Sequence, residues 1–196
     1  MSYHIRHITR YRYSAPIRES IMEARMQPRS DDNQHCSDFR LDVVPRARPT
    51  CYHDHLGNVV HHFDIPGEHQ ELYLLAESTV DVNPLPALPA ALPYPAWQEI
   101  DALGSDGLFW DLLQASAFVH PTPLLDDLAA VLAVDRSHDP LTTALQLNQA
   151  LYRSFSYVPQ STRVDSTIDD AIAHRRGVCQ DFSHIMLALL RRLGIP

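Results

Sequence analysis

The sequence predicts an α+β protein, in which an antiparallel β-sandwich-like domain is followed by helices. Three observations support this prediction: apolar and polar residues alternate through residues 3–82, a proline-rich stretch follows, and the remainder carries capped helical patterns. The chain has 196 residues, of which 45% are hydrophobic and 20% charged. These proportions are typical of globular proteins, so a packed core is expected rather than a disordered chain.

Strand periodicity is clearest in three stretches, residues 3–8, 39–43 and 72–76. The segment Asp54–Asn58 separates two alternating runs. Because Gly57 and Asn58 can both take a positive φ, a hairpin is predicted there. Residues 1–82 are therefore assigned to a β-domain of about six strands, arranged as a small sandwich or an open barrel.

A proline-rich linker is predicted at residues 83–104. Residues 83–96 hold five of the 15 prolines of the chain. Proline cannot donate a ladder hydrogen bond and disfavours helix in the residue before it. We therefore expect an extended segment lying over a surface.

Residues 105–196 carry helical signatures. One candidate helix runs from Leu108 to Phe118. Two further helices are predicted where a capping residue precedes proline, at Thr122-Pro123 and at Asp139-Pro140. A short helix capped by Ser166 or Thr167 is expected to end at His174, with two aspartates in its first turn.

Composition excludes several classes of protein. The formal net charge is −8, and the 16 basic residues are all arginine, which argues against a surface built to bind nucleic acid. With no lysine, no side-chain amine of the chain can serve as an acyl acceptor. No apolar run approaches the roughly 18–20 residues that span a bilayer, and no secretory signal is recognisable. A soluble, cytoplasmic protein without membrane contact is expected.

The last predicted helix begins near Cys179, after Gly177, and is marked at both ends. Arg191 and Arg192 occupy its last turn, and Gly194 follows as a C-terminal cap. Its apolar positions form one stripe, made of Phe182, Ile185, Met186, Leu189, Leu190 and Leu193.

Cys179 opens this helix on the same side as the stripe. Unpaired backbone N–H groups and the positive end of the helix dipole stabilise a thiolate there, and Arg175 and Arg176 add positive charge. The same N–H groups can hold the oxyanion of a tetrahedral intermediate. The placement is therefore that of a nucleophilic cysteine, although a small thiol on a helix stripe can equally be a structural core residue.

The run Gly177-Val178-Cys179-Gln180-Asp181-Phe182, continued by Leu187 to Arg191 and Leu193 to Pro196, resembles the nucleophile helix of bacterial transglutaminase-like proteins, a branch of the papain-like cysteine enzymes. The upstream runs Phe155-Ser156-Tyr157 and Thr162-Arg163-Val164-Asp165 are similar to the lead-in of that helix. Residues 3–82 resemble the β-rich N-terminal domain of these proteins, and Asp54 to Asn58 match its D-x-x-G-N turn.

The resemblance implies a fold and a chemistry. Residues 105–196 would form the helical first half of a transglutaminase-like core, and Cys179 would attack a protein or peptide amide to form a thioester. Gln180 could donate to the oxyanion, Tyr157 could line the acyl pocket, and Asp181 would favour the helix start. No cofactor is implied, and no oxygen-rich loop indicates calcium.

The family completes its triad with a His and an Asp on strands that follow the nucleophile helix. His184 lies roughly 140° around the helix from Cys179 and is expected to face solvent, and His174 lies beyond the break at Gly177. We therefore expect a truncated chain that holds the nucleophile without its base. The same reasoning leaves the stripe uncovered, and self-association through its six residues is expected.

Two other functions stay open from the sequence. The chain could be a non-catalytic module that binds protein or peptide, with Cys179 as a structural thiol, or a thiol-redox protein. Cys36 and Cys51 are expected to be packed thiols. No metal site is assigned, although five histidines cluster around the hairpin: His53, His55, His61, His62 and His69.

Overall fold

The computed structural model describes residues 1–105, 107 and 109–196, and it shows an α+β protein. The chain divides into two compact units, Met1–Ala87 and Leu88–Pro196. Within the described ranges, no helix combines the length and the apolar character needed to cross a membrane.

The first unit is one antiparallel sheet of four strands, β1 Ser2–Ala24, β2 Gln34–Val44, β3 Thr50–His53 and β4 Val59–Val82. The spatial order is β1-β4-β2, and β3 also pairs with β4. The expectation of about six strands was wrong, because β1 and β4 are single long strands that continue through Pro16 and Pro66. Pro16 falls where the β1–β4 register shifts, and Pro66 lies at the edge of the same irregularity, where the ladder is interrupted.

Strand β4 bends, so the single sheet packs on itself. Phe63 and Leu74 line the same cavity of about 210 Å³, although eleven residues of straight strand would separate them by about 36 Å. Gly67, between them, has a φ of 126° that only glycine adopts easily. The core formed in this way contains Ala24, Val43, Phe63, Ile65, Leu72 and Leu74.

The predicted hairpin is confirmed between β3 and β4. Gly57 takes the left-handed conformation with a φ of 80°. The Asp54 carboxylate accepts hydrogen bonds from the Asn58 side chain at 3.1 Å and from the backbone N–H groups of Asn58 and Leu56 at 2.9 and 3.1 Å. These bonds, with that from Arg25, lower the pKa of Asp54 to about 2. The turn therefore depends on a charged carboxylate.

The second unit contains six helices in its described residues: α1 Ala96–Ser105, α2 Trp110–Leu113, α3 Pro123–Val131, α4 Pro140–Ser154, α5 Ile168–His174 and α6 Cys179–Arg192. Two short strands, β5 Ser156–Tyr157 and β6 Arg176–Gly177, pair in parallel. Together they place the start of α6 beside the end of α4.

The capping residues predicted from sequence are confirmed. The Thr122 hydroxyl accepts from the Leu125 N–H at 3.1 Å, and the Asp139 carboxylate accepts from the Leu141 and Thr142 N–H groups at 3.1 and 3.2 Å. At the third site the cap is Thr167, whose backbone N–H donates to the Asp170 carboxylate at 3.1 Å. Each helix therefore begins where local hydrogen-bond chemistry indicates.

Two helical segments differ from expectation. Helix α1 occupies residues 96–105, most of which were assigned to the linker, because Pro93 and Pro95 accept its first hydrogen bonds instead of preventing a helix. The predicted helix from Leu108 to Phe118 is reduced to α2, with Gln114 already extended, and Leu108 itself lies outside the described residues.

The apolar stripe of α6 packs inside the second unit. Ile185, Leu189 and Leu193 are buried, and Met186 and Leu190 pack against the same core. The expectation that the stripe is uncovered was therefore wrong, because α3, α4 and α5 cover it. This removes the reason for predicting self-association through Phe182, Ile185, Met186, Leu189, Leu190 and Leu193.

Candidate active site

Cys179 is the first residue of α6, and its side chain is exposed. Val178 before it is extended, with φ −115° and ψ 179°, so the chain turns sharply from β6 into the helix. Exposure contradicts the alternative in which Cys179 is a buried core thiol. The thiol instead lies at the helix end where the backbone N–H groups have no intrahelical acceptor.

Asp181 fixes the turn that presents Cys179. Its carboxylate is 2% exposed, and Oδ2 accepts from the Val178 N–H at 2.7 Å and from the Thr162 hydroxyl at 2.6 Å. Gly177 makes this approach possible, because a Cβ there would lie 2.8 Å from that same oxygen. The Asp181 carboxylate therefore holds the turn before Cys179, and a role of Asp181 at the oxyanion or the pocket stays a prediction.

The β5–β6 pairing holds the other side of the turn. The Val158 N–H donates to the Gly177 carbonyl at 3.0 Å, and the Ser156 N–H donates to the Arg175 carbonyl at 2.9 Å. Arg175 ends α5 in the left-handed conformation, and its guanidinium lies 5.3 Å from the centre of the Phe155 ring. The segment that precedes Cys179 is thus pinned to the end of α4.

Gln180 ties the preceding loop to α6. Its side-chain amide donates to the Val164 carbonyl at 3.1 Å. One of its two amide N–H groups therefore holds the loop, and the role of Gln180 as an oxyanion donor stays a prediction. Thr162, which sequence reasoning did not single out, anchors the same loop through Asp181.

An aromatic cavity of about 220 Å³ lies along the face of α6 that begins with Cys179. Phe182, Ser183 and Met186 stand three, four and seven residues after Cys179, which places them on its side of the helix. Tyr157 also lines the cavity and is 62% exposed. The structure thus brings Tyr157 to the helix face that carries Cys179.

The two nearby histidines have other partners. His174 donates from Nδ1 to the Asp170 carbonyl at 2.8 Å, since a carbonyl oxygen can only accept. His184 stacks on Phe118 with ring centres 5.5 Å apart and is half-buried, so the expectation that it faces solvent was wrong. Both histidines are thus held by contacts that do not involve the Cys179 thiol.

The cysteines and histidines of the first unit show no assembled site. Cys36 is half-buried, and burial raises the pKa of its thiol, whereas Cys51 is exposed and not packed as expected. The His61 ring packs against Phe39 at a tilt of 39°, with ring centres 4.9 Å apart, and burial lowers its pKa. Across residues 1–105, 107 and 109–196, no three His, Cys, Asp or Glu side chains come together in a group able to hold a metal ion.

Two family models match the chain. Residues 3–81 match the bacterial transglutaminase-like N-terminal region, and residues 129–196 match the transglutaminase-like superfamily. The first match corresponds to the four-stranded sheet, and the second begins in α3 and includes the whole of α6.

Relatives of similar sequence occur in mycobacteria. An uncharacterized protein of Mycobacterium leprae is 33% identical over 191 residues, which cover 97% of this chain and 66% of the relative. An uncharacterized protein of Mycobacterium tuberculosis is 31% identical over 199 residues, which cover 98% of this chain and 62% of the relative. The chain therefore spans slightly less than two thirds of the length of these relatives.

The fold also has a solved counterpart. The crystal structure of a "putative cysteine protease" from Cytophaga hutchinsonii superposes with a TM-score of 0.71 at 20% identity, over 98% of this chain and 64% of that one. At that identity the likeness shows the fold. With both family models matched in chain order, the chain belongs to the bacterial transglutaminase-like proteins.

Proposed function

We propose that this chain carries the nucleophile of a transglutaminase-like cysteine enzyme that acts on protein or peptide amides. The observation that carries the proposal is the exposed Cys179 at the first position of α6, on a turn locked by the buried Asp181. A thiolate is stabilised at a helix N-terminus by the dipole and by unpaired N–H groups.

The proposed reaction proceeds through a thioester. The Cys179 thiolate attacks the amide carbonyl carbon, a C–S bond forms, and the carbonyl oxygen becomes an oxyanion. The first-turn N–H groups of α6, which lack an intrahelical acceptor, are positioned to stabilise that charge. The C–N bond then breaks, the nitrogen leaves as ammonia or an amine after taking a proton, and water or an amine accepts the acyl group.

The general base is proposed to come from outside the described site. His174 and His184 are held by the Asp170 carbonyl and by Phe118, respectively. The relatives are longer than this chain by about half its length. We propose that a histidine and a carboxylate from that additional part complete the site, so that the 196 residues alone do not turn over.

The aromatic cavity along the α6 face that begins with Cys179 is the proposed acyl-side pocket. Its lining by Tyr157, Phe182 and Met186 favours an apolar group next to the attacked carbonyl. The exposed Tyr157 hydroxyl can hydrogen-bond to a peptide backbone while its ring covers apolar surface.

Alkylation by iodoacetamide tests the nucleophile, since the chain has three free thiols in different surroundings. At about pH 6.5 we expect Cys179 to be alkylated about tenfold faster than the exposed Cys51, because only Cys179 opens a helix. Cys36 should be slowest, because burial raises its pKa. Peptide mass spectrometry at several reaction times measures all three rates in one sample.

A second measurement tests acyl chemistry directly. p-Nitrophenyl acetate should acetylate Cys179 once, releasing one nitrophenolate per chain; Cys179→Ser should abolish this burst and Cys51→Ser should retain it. Equal alkylation of Cys179 and Cys51, together with no burst, would contradict the proposal and favour a non-catalytic binding module.

A further inference from the structure

A second cavity, of about 300 Å³, lies between the loop 160–166 and the end of α5. We call it the arginine pocket. Its polar lining includes Ser161, Thr162, Arg163, Ser166, His174 and Arg176. The pocket therefore combines cationic side chains with hydroxyl groups, unlike the aromatic cavity along α6.

The wall of this pocket is tied to the residues on either side of the thiol. The Thr162 hydroxyl donates to the Asp181 carboxylate at 2.6 Å, and the Gln180 amide donates to the Val164 carbonyl at 3.1 Å. Arg176, on the opposite wall, precedes Cys179 by three residues in β6. The pocket is therefore built on the same loop and strand that hold the start of α6.

The charges of the lining leave one guanidinium available. Arg163 is paired with Asp165 at 3.1 Å. Arg176 is exposed, and in the described part of the chain no carboxylate lies within 4.0 Å of it. Asp170 also lines the pocket, but its carboxylate accepts from the Thr167 N–H and hydroxyl at 3.1 and 3.3 Å, as a helix cap.

The hydroxyl groups of the lining add a neutral donor beside this guanidinium. The Ser166 hydroxyl accepts from the Arg163 N–H at 3.0 Å and keeps its own hydrogen for a ligand oxygen. Ser161 Oγ is buried and has no hydrogen-bond partner among the described residues, and a ligand in the pocket does not reach it, since water does not. His174 donates from Nδ1 to the Asp170 carbonyl, so Nε2 of the neutral ring is an acceptor and does not bind a carboxylate.

We propose that the arginine pocket binds a carboxylate of the substrate, so that the enzyme acts on an amide close to an acidic group. This inference rests on the proposed function, since it names a substrate class for that same site. A carboxylate matches the planar fork of one arginine and accepts several hydrogen bonds. A single unpaired guanidinium beside Asp170 suits one negative charge better than the two of a phosphate.

An NMR titration of the 196-residue chain tests this inference. The probes are N-acetylglutamate α-amide, which carries a side-chain carboxylate, N-acetylglycylglycine, which carries a terminal one, and N-acetylglutamine α-amide, which is neutral. We expect saturable shifts in residues 160–166 and 174–176 with at least one acidic probe and none with the neutral probe. Which acidic probe binds distinguishes a side-chain carboxylate from a chain terminus.

Matched variants sharpen the result. Arg176→Gln should weaken binding about tenfold or more, Arg176→Lys should recover part of it, and Arg153→Gln, an exposed charge of α4 outside the pocket, should stay within about twofold. Equal binding of the neutral probe, or unchanged binding in Arg176→Gln, would overturn the inference.

The thiol is not needed for this binding. Cys179→Ser should therefore bind the acidic probe as the wild type does. An unreactive Cys179 with normal probe binding would count against the proposed function alone, and a reactive Cys179 without probe binding would count against the carboxylate pocket alone.

Discussion

The two units of the chain bury their side chains differently. The main core of the second unit has twelve buried residues contributed mostly by α3 to α6, whereas that of the first has six, collected by the bend of β4. Strand β1 keeps Tyr3, Ile5, Ile8 and Tyr11 between 41 and 51% exposed. The cysteine helix thus belongs to the unit with the larger apolar core, which suits the proposed role of Cys179, since a catalytic side chain is held within about 0.5 Å of its productive position.

Polar contacts on the outer face of the sheet differ from those at the turn before Cys179. On the outer face of the sheet, Arg10 and Arg12 pair with Glu71 across β1 and β4 at 2.6 and 3.1 Å, and all three side chains are about half-exposed or more. Exposed pairs of this kind contribute at most about 1 kcal/mol each. In the second unit, by contrast, the Asp181 carboxylate is buried with both of its donors in place.

The largest expected effect comes from shortening a buried side chain of α6. Leu189 is 0% exposed, so Leu189→Ala should lower the free energy of unfolding by about 2–5 kcal/mol. Chemical denaturation followed by circular dichroism at 222 nm, which reports the helices, measures the loss.

Two exposed residues serve as controls for that substitution. Leu187→Ala on the same helix, where the side chain is 41% exposed, and Ile8→Ala in β1, at 51%, should each cost about 1 kcal/mol or less. If Leu189→Ala cost no more than these, the second unit would not depend on the core that α6 forms with α3, α4 and α5.

The next effect concerns the turn before Cys179. In Gly177→Ala the new Cβ would meet Asp181 Oδ2 at 2.8 Å and Asp181 Cβ at 2.9 Å. We expect a loss of about 1–3 kcal/mol and an alkylation rate of Cys179 that falls towards that of Cys51, because the turn must shift.

Gly104→Ala should change the free energy of unfolding in the opposite direction from Gly177→Ala. Gly104 lies inside α1, where an added Cβ comes no closer than 3.4 Å to Leu113, and alanine should stabilise by about 0.5–1 kcal/mol. Paired thermal unfolding curves distinguish the two. If Gly177→Ala left both the stability and the alkylation rate of Cys179 unchanged, the close approach of Asp181 to the backbone would not be needed.

The smallest effect is acid sensitivity, which both units share. Hydrogen bonds from Asn58 lower the pKa of Asp54, and those from Thr142 lower the pKa of Asp139, each from 3.8 to about 2. A folded pKa below the unfolded one gives stability that is complete above about pH 4 and lost as the pH falls towards about 2. NMR titration of the two carboxyl groups measures their pKa values. Melting curves from pH 5 to pH 2 for Asp54→Asn and Asp139→Asn measure the loss of stability. A titration midpoint near 4 would contradict the hydrogen bonds described for the two carboxylates.

Local signals carried much of this fold. The caps at Thr122 and Asp139 and the hairpin at Asp54 each depend on hydrogen bonds between residues at most four apart, so the residue types alone predict them. The number of strands could not be predicted in this way. Strand β1 continues through Pro16, where its register with β4 shifts, and only the pairing with β4 reveals that continuity.

Contacts between distant residues could not be predicted in the same way. Thr162 reaches Asp181 across 19 residues, and His184 stacks on Phe118 across a much longer separation. Periodicity identified the α6 stripe correctly but not its covering, because the arrangement of α3 to α5 around it is set by tertiary packing. The polar lining of the arginine pocket has no sequence signature, since its walls come from a loop, α5 and β6.

The position of β4 at the end of the first unit affects how that unit folds during synthesis. The strands β1, β2 and β3 all pair with β4, which ends at Val82. During synthesis on the ribosome, β1 must therefore wait for some sixty further residues before its partner emerges, with an open hydrogen-bonding edge in the meantime. The edge of β1 can pair with other chains over that interval, and the arginines spaced along β1 place charge on this edge, which disfavours such pairing.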